Sequence, residues 1–136
     1  MNSWFNILSI GFSLLLVAIM LWNIWVNSRP SADGDLKVIQ QLQREGSDLT
    51  RAHSIDFFLY FPSEQAARRA ADGVREAGFN AKVEPSSYDQ NWLCLATKDL
   101  VPTHGALRGI RLQFEELASR LGGEYDGWHT RILLPN

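Results

Sequence analysis

A chain of 136 residues, 46% hydrophobic and 21% charged, is the size of one ordinary domain. Its 13 Lys+Arg against 15 Asp+Glu leave a net charge of −2, which offers no basic field to a nucleic-acid backbone. One cysteine excludes an intrachain disulfide framework and a multi-cysteine zinc site, and 10 Gly and 5 Pro without a period exclude collagen-like and low-complexity chains.

The charges are unevenly placed: no Lys, Arg, Asp or Glu precedes Arg29. The chain therefore reads as an apolar anchor over residues 1–28, a linker over 29–35 and a polar α/β domain over 36–136. Trp4 to Val26 carries no charge. As a helix it is about 34 Å long, enough for a hydrocarbon core of about 30 Å. Trp4 and Phe5 stand at one end, Trp22 and Trp25 at the other, where amphipathic rings favour the headgroup level. A cleaved secretory signal needs a basic start and a shorter apolar run, and Met1-Asn2-Ser3 has no basic side chain. A soluble core helix would be apolar on one stripe, not all round. The expectation is one permanent span contacting the lipid bilayer. Arg29 and Lys37 follow the span and nothing basic precedes it, which places the C-terminal domain on the cytoplasmic side of a bacterial inner membrane. The unpaired Cys94 fits a reducing compartment.

Ser28 to Gly34 is rich in helix breakers. Leu36, Ile39 and Leu42 then recur at helical spacing up to Gly46, which suits a left-handed C′ position. From Ile55 the period becomes two, with Ile55, Phe57, Leu59 and Phe61 on one face and Asp56, Phe58 and Tyr60 on the other. Pro62 ends that strand and Ser63 caps a helix over about Glu64–Ala77, whose Ala67, Ala70, Ala71, Val74 and Ala77 form a small-residue stripe. Arg68 and Asp72 are spaced as an i,i+4 pair on its wet side. A half-exposed strand over Phe79–Glu84, a turn over Pro85–Asp89 and a more apolar strand over Asn91–Thr97 follow. Thr103 opens the longest soluble helix, with Leu107, Ile110, Phe114, Leu117 and Leu121 on one stripe. Gly122-Gly123 breaks it before a last strand within Glu124–Leu134 that holds an Asp126-Gly127 turn or bulge. The order β-α-β-β-α-β predicts an α+β, ferredoxin-like sandwich. The extra helix over Leu36–Glu45 either caps the open sheet face or bridges to the membrane.

His53, His104, His129 and Cys94 fall on separate elements without metal-ligand spacing, so no metal, cofactor or catalytic residue is expected. Cys94, between Leu93 and Leu95, reads as a small core hydrophobe, although a cysteine nucleophile is the enzymatic rival. Aromatics on an open four-stranded sheet also serve RNA-binding domains, but an acidic domain without their basic-aromatic strand signature favours a protein partner over direct nucleic-acid contact. The expected partner-binding surface is the second sheet face and its adjoining turns, namely Phe58, Tyr60, Trp92, Tyr125, Asp126 and His129, with exposure read from alternation. If the domain faced the periplasm instead, a toxin-immunity type of binding protein would be the alternative.

Leu42 to Asp48, with Gly46-Ser47-Asp48 closing the first helix, and Glu124-Tyr125-Asp126-Gly127-Trp128 after the last one resemble the opening and closing segments of the regulator of ribonuclease activity B family. The resemblance runs from Leu36 to the C-terminus. It implies a ferredoxin-like, non-catalytic domain that inhibits ribonuclease E by binding the enzyme; joined to the span over Trp4–Val26, the expectation is a membrane-tethered inhibitor or adaptor of an RNA-processing enzyme. Read physically, Trp128 is a core anchor, Gly127 permits a bulge, and Asp126, Ser47 and Asp48 order nearby backbone.

Overall fold

The computed structural model describes residues 32–136. The span expected over Trp4–Val26 lies outside them; among the described residues no helix is long and apolar enough to cross a membrane.

Helix α1 (Ala32–Arg44) is followed by strand β1 (His53–Phe61), helix α2 (Glu64–Glu76), strands β2 (Asn80–Pro85) and β3 (Trp92–Leu100), helix α3 (His104–Arg120) and strand β4 (Glu124–Thr130). α1 begins inside the stretch that reads as linker. The sheet order is β2-β3-β1-β4, and every neighbouring pair is antiparallel. β1 and β2, joined through α2, are thus parallel with β3 between them; β3 and β4, joined through α3, are parallel with β1 between them. These are two interleaved split βαβ units in an α+β domain of three helices and one antiparallel sheet.

The alternation of β1 sends Ile55, Phe57, Leu59 and Phe61 into the helix-covered face, where all four are sealed. Ala67, Ala70, Ala71 and Val74 bring α2 close to the sheet. Phe57 meets Phe79 and Phe114 edge-on, each with ring centroids 5.6 Å away. Side-chain caps start α2 and α3: the Ser63 hydroxyl accepts from Ala66 N–H and that of Thr103 from Ala106 N–H, at 3.2 Å each. Gly123, at the entry to β4, lies against the Tyr60 carbonyl and the Phe61 ring, where any Cβ would overlap both. On the wet side of α2, Arg68 pairs back to Glu64 at 2.6 Å and Arg75 takes Asp72 at 3.5 Å, so the expected Arg68–Asp72 pair gives way to the one nearer the helix start.

α1 does not cap the open sheet face. It packs against α3 on the helical side. There the Asp35 carboxylate takes Arg111 Nε at 2.9 Å on one oxygen and Trp128 Nε1 at 3.1 Å on the other, while Arg111 Nη1 reaches Glu115 at 3.5 Å. The Asp35 and Arg111 side chains are only 5% and 8% exposed. Burial works against the Arg111 charge, but its bonds to Asp35 and Glu115 outweigh that and hold its pKa above the usual arginine range.

Candidate functional site

The strand register decides which of the sequence-predicted residues share a face. Phe58 lies between Leu95 on β3 and Gly127 on β4, and Tyr60 between Leu93 and Glu124. Among the described residues no helix covers this side: α2 and α3 lie on the other face, against the core. Phe58, Tyr60 and Leu95 are half-buried and form an apolar centre with Leu93. His129 lies opposite Asp56 at the far end of the same face. Asp56 there accepts from the Thr97 hydroxyl at 3.1 Å. Ser54, Asp56, His129, Arg131 and Ile132 help line a groove of about 560 Å³ at that end.

Trp92 and Tyr125 do not join this face. Trp92 pairs with Phe61 and packs on the helix-covered side. Tyr125 is 4% exposed, its ring 6.1 Å from that of Phe114. The cause is a β-bulge: Leu59 pairs with Tyr125, but Phe58 pairs with Gly127, so Asp126 is the extra residue. Gly127, at φ +108°, supplies the backbone conformation. The bulge shifts the period by one, so Tyr125 and Trp128, three residues apart, face the same core while His129 turns outward. Asp126 stays exposed beside Tyr60. Burial first, and then the charge of Asp126, lifts the Tyr60 hydroxyl above the ordinary tyrosine range.

Alternation says nothing about Tyr88, which the structure adds to this surface. It is 89% exposed at the tip of the β2–β3 turn. The turn is pinned: Ser86 Oγ accepts from Tyr88 N–H at 3.2 Å, and Asp89 accepts from Asn91 N–H at 2.9 Å and its side-chain amide at 3.0 Å. The only sequence signal was its Ser-Ser-Tyr-Asp composition, which marks a turn but not an ordered aromatic tip.

The remaining reactive groups are structural. Cys94 is sealed in the core, where burial pushes its thiol up to about 11, the reverse of an activated nucleophile. Ser47 and His53 form a pair at 2.8 Å. His53 Nδ1 stands 2.9 Å from the Arg51 carbonyl, which only accepts, so in the neutral ring Nδ1–H donates there and Nε2 accepts from the Ser47 hydroxyl. Ser47 Oγ also accepts from Leu133 N–H at 2.9 Å, and Leu133 O accepts from Asp48 N–H at 2.7 Å. Both side chains are buried, so this pair clips the C-terminal tail to the α1–β1 loop. Asp48 accepts from Thr50 N–H and its hydroxyl, which order the same loop and hold its carboxyl below the usual range.

Both marked segments thus carry the fold: Gly46-Ser47-Asp48 fastens the tail, and Tyr125-Asp126-Gly127-Trp128 docks β4 against α1 and α3. Residues 32–130 match the regulator of ribonuclease activity B family, from the first residue of α1 to the last of β4. The chain belongs to that family. Its members regulate a ribonuclease as binding proteins and are not known catalysts. The match makes α1 part of the domain, in keeping with its buried Asp35. No curated protein matches the chain.

Proposed function

We propose that this regulator of ribonuclease activity B family member is a membrane-tethered, non-catalytic inhibitor or adaptor whose open sheet face binds ribonuclease E or another RNA-processing enzyme. The observation that carries the reading is the apolar centre of Phe58, Tyr60, Leu93 and Leu95, which no helix among the described residues covers, in a domain of a regulator family. Phe58, Tyr60, Asp126 and His129 are its contact residues, and Tyr88 joins them. The charge-free Trp4–Val26 stretch is the anchor, residues 29–31 the remaining linker, and the domain lies on the cytoplasmic side. Confinement to one surface raises the effective concentration of a domain and its partner, so a modest affinity suffices for regulation.

The test is crosslinking and capture of the full-length protein from membranes, with Phe58→Ala and Tyr60→Ala as variants. The expected result is a ribonuclease E complex lost in both variants while the circular dichroism spectrum is kept. Capture unaffected by either change rejects the face, and the absence of any RNA-processing enzyme rejects the partner. Retention on membranes after alkaline carbonate and a cytoplasm-active reporter fused at Asn136 test the tether and its orientation.

A further inference from the structure

We propose that the Tyr60 end of the open face receives an arginine-bearing segment of the protein partner, held between the Tyr60 and Tyr88 rings and the carboxylates of Asp89, Glu124 and Asp126. This rests on the reading of the open face as the docking surface and adds the chemistry of what docks there. Three elements converge at this end: β1 brings Tyr60, the bulge of β4 brings Glu124 and Asp126, and the pinned β2–β3 turn brings Tyr88 and Asp89. Tyr60 lies within electrostatic reach of Asp126, Tyr88 and Asp89 together.

The charge carried by the strands is one-sided, and Arg131 lies at the opposite, groove end of the face. The four strands carry Asp56, Glu84, Asp99, Glu124 and Asp126 but only the cations Lys82 and Lys98. Lys98 pairs with Ile55 on the helix-covered side, its Nζ 4.8 Å from the centre of the Phe79 ring. Lys82 is engaged by Glu84 at 3.2 Å. Among the described residues, Asp89, Glu124 and Asp126 have no Lys or Arg within ion-pair distance. Bonds from Asn91 and Ser86 hold the Asp89 carboxyl below the usual range, so it is ionised at neutral pH. Solvent-facing tyrosine rings beside free carboxylates match a guanidinium, which stacks on an aromatic face and bonds carboxylate along its edge. An ammonium gains the charge but not the planar fit. RNA meets repulsion from the same carboxylates.

The probe is a fluorescein-labelled peptide of alternating arginine and leucine, titrated into the full-length protein and read by anisotropy, with lysine–leucine and glutamate–leucine peptides as controls. The arginine peptide is expected to bind at least about threefold more tightly than the lysine peptide, to weaken with added salt, and to leave the glutamate peptide unbound. The paired substitution Asp89→Asn with Asp126→Asn should weaken it at least about fivefold, and Tyr88→Ala should weaken it with the circular dichroism spectrum unchanged, since all three side chains are exposed. No binding of the arginine peptide at micromolar protein, indifference to the neutralised carboxylates, displacement by labelled RNA, or self-association through this face would each overturn the proposal. Loss of ribonuclease E capture in Phe58→Ala but not in Asp89→Asn with Asp126→Asn would leave the docking face standing and remove its arginine chemistry. Capture insensitive to both sets would remove the docking face itself.

Discussion

Replacing Asp35 with alanine tests whether α1 is an integral part of the domain. In the native protein the Asp35 carboxylate meets Arg111 Nε at 2.9 Å and Trp128 Nε1 at 3.1 Å, with both charged side chains nearly sealed. Its removal leaves the guanidinium buried with Glu115 alone, at 3.5 Å, and leaves the indole N–H without its acceptor. Arg111 cannot escape by losing its proton. Removing one partner of a buried pair costs about 3–5 kcal/mol, and the surviving Glu115 contact sets this case at the lower end. The orphaned indole N–H adds about 1 kcal/mol. The sum is about 4 kcal/mol, which lowers Tm by at least about 15 °C in a domain of this size. Joint replacement, Asp35→Leu with Arg111→Met, removes both charges and is expected to fall within about 1 kcal/mol of the parent or above it. Urea unfolding followed by both tryptophan fluorescence and circular dichroism measures each variant. A single variant within about 1 kcal/mol of the parent, or a double variant as weak as the single one, would refute the assignment of α1 docking to this pair.

Tyr125 supplies a case of opposite sign. Its hydroxyl is buried and has no hydrogen-bond partner among the described residues, and burial, with Asp35 and Glu115 nearby, raises its pKa. Tyr125→Phe should therefore leave stability unchanged or raise it by up to about 1 kcal/mol; a loss larger than that would mean the hydroxyl is bonded. Ser47→Ala breaks the buried link to His53 and Leu133 and should cost about 2 kcal/mol, with faster hydrogen exchange at the Leu133 and Asp48 amides; unchanged exchange there would remove Ser47 as the clip. The Cys94 thiol, raised from 9.0 to about 11, keeps its proton longer in the folded than in the unfolded state. Its contribution is fully present below pH 9 and is lost as pH rises towards 11, so stability should fall by about 1 kcal/mol from pH 9 to 10. Cys94→Ala should flatten that slope, and at pH 7 a thiol reagent should label the parent no faster than it unfolds.

Local rules made most of the architecture readable. Period-two burial along His53–Phe61, the Ser63 and Thr103 caps and the stripe of α3 are each set by neighbours in sequence, and the βαββαβ order followed from them. What escaped were long-range polar pairings. Arg111 lies beside the apolar stripe of α3 and reads as a solvated charge, because the carboxylate that permits its burial is contributed by Asp35, on another helix. For the same reason a helix whose apolar spacing begins at Leu36 gives no hint that its first turn holds its firmest attachment.

The candidate face shows how a single residue reassigns a site. Strict alternation gives Tyr125 and His129 the same side and Trp128 the other. The structure instead turns Tyr125 and the half-buried Trp128 to the core side and exposes His129, because Asp126 is looped out between two register frames. The Asp-Gly pair announced that something happens there, but a turn, a bulge and a hairpin share that composition, and only the pairing of Phe58 with Gly127 distinguishes them. The same bulge does two things at once. Inward, it lets Tyr125 and Trp128 meet α3 and Asp35 and so fastens β4 and α1 to the domain. Outward, it sets the exposed Asp126 carboxylate beside Tyr60 at the rim of the apolar centre. A motif that holds the fold together therefore also shapes the charge of the surface beside it, although its two largest side chains, Tyr125 and Trp128, turn to the opposite, helix-covered side.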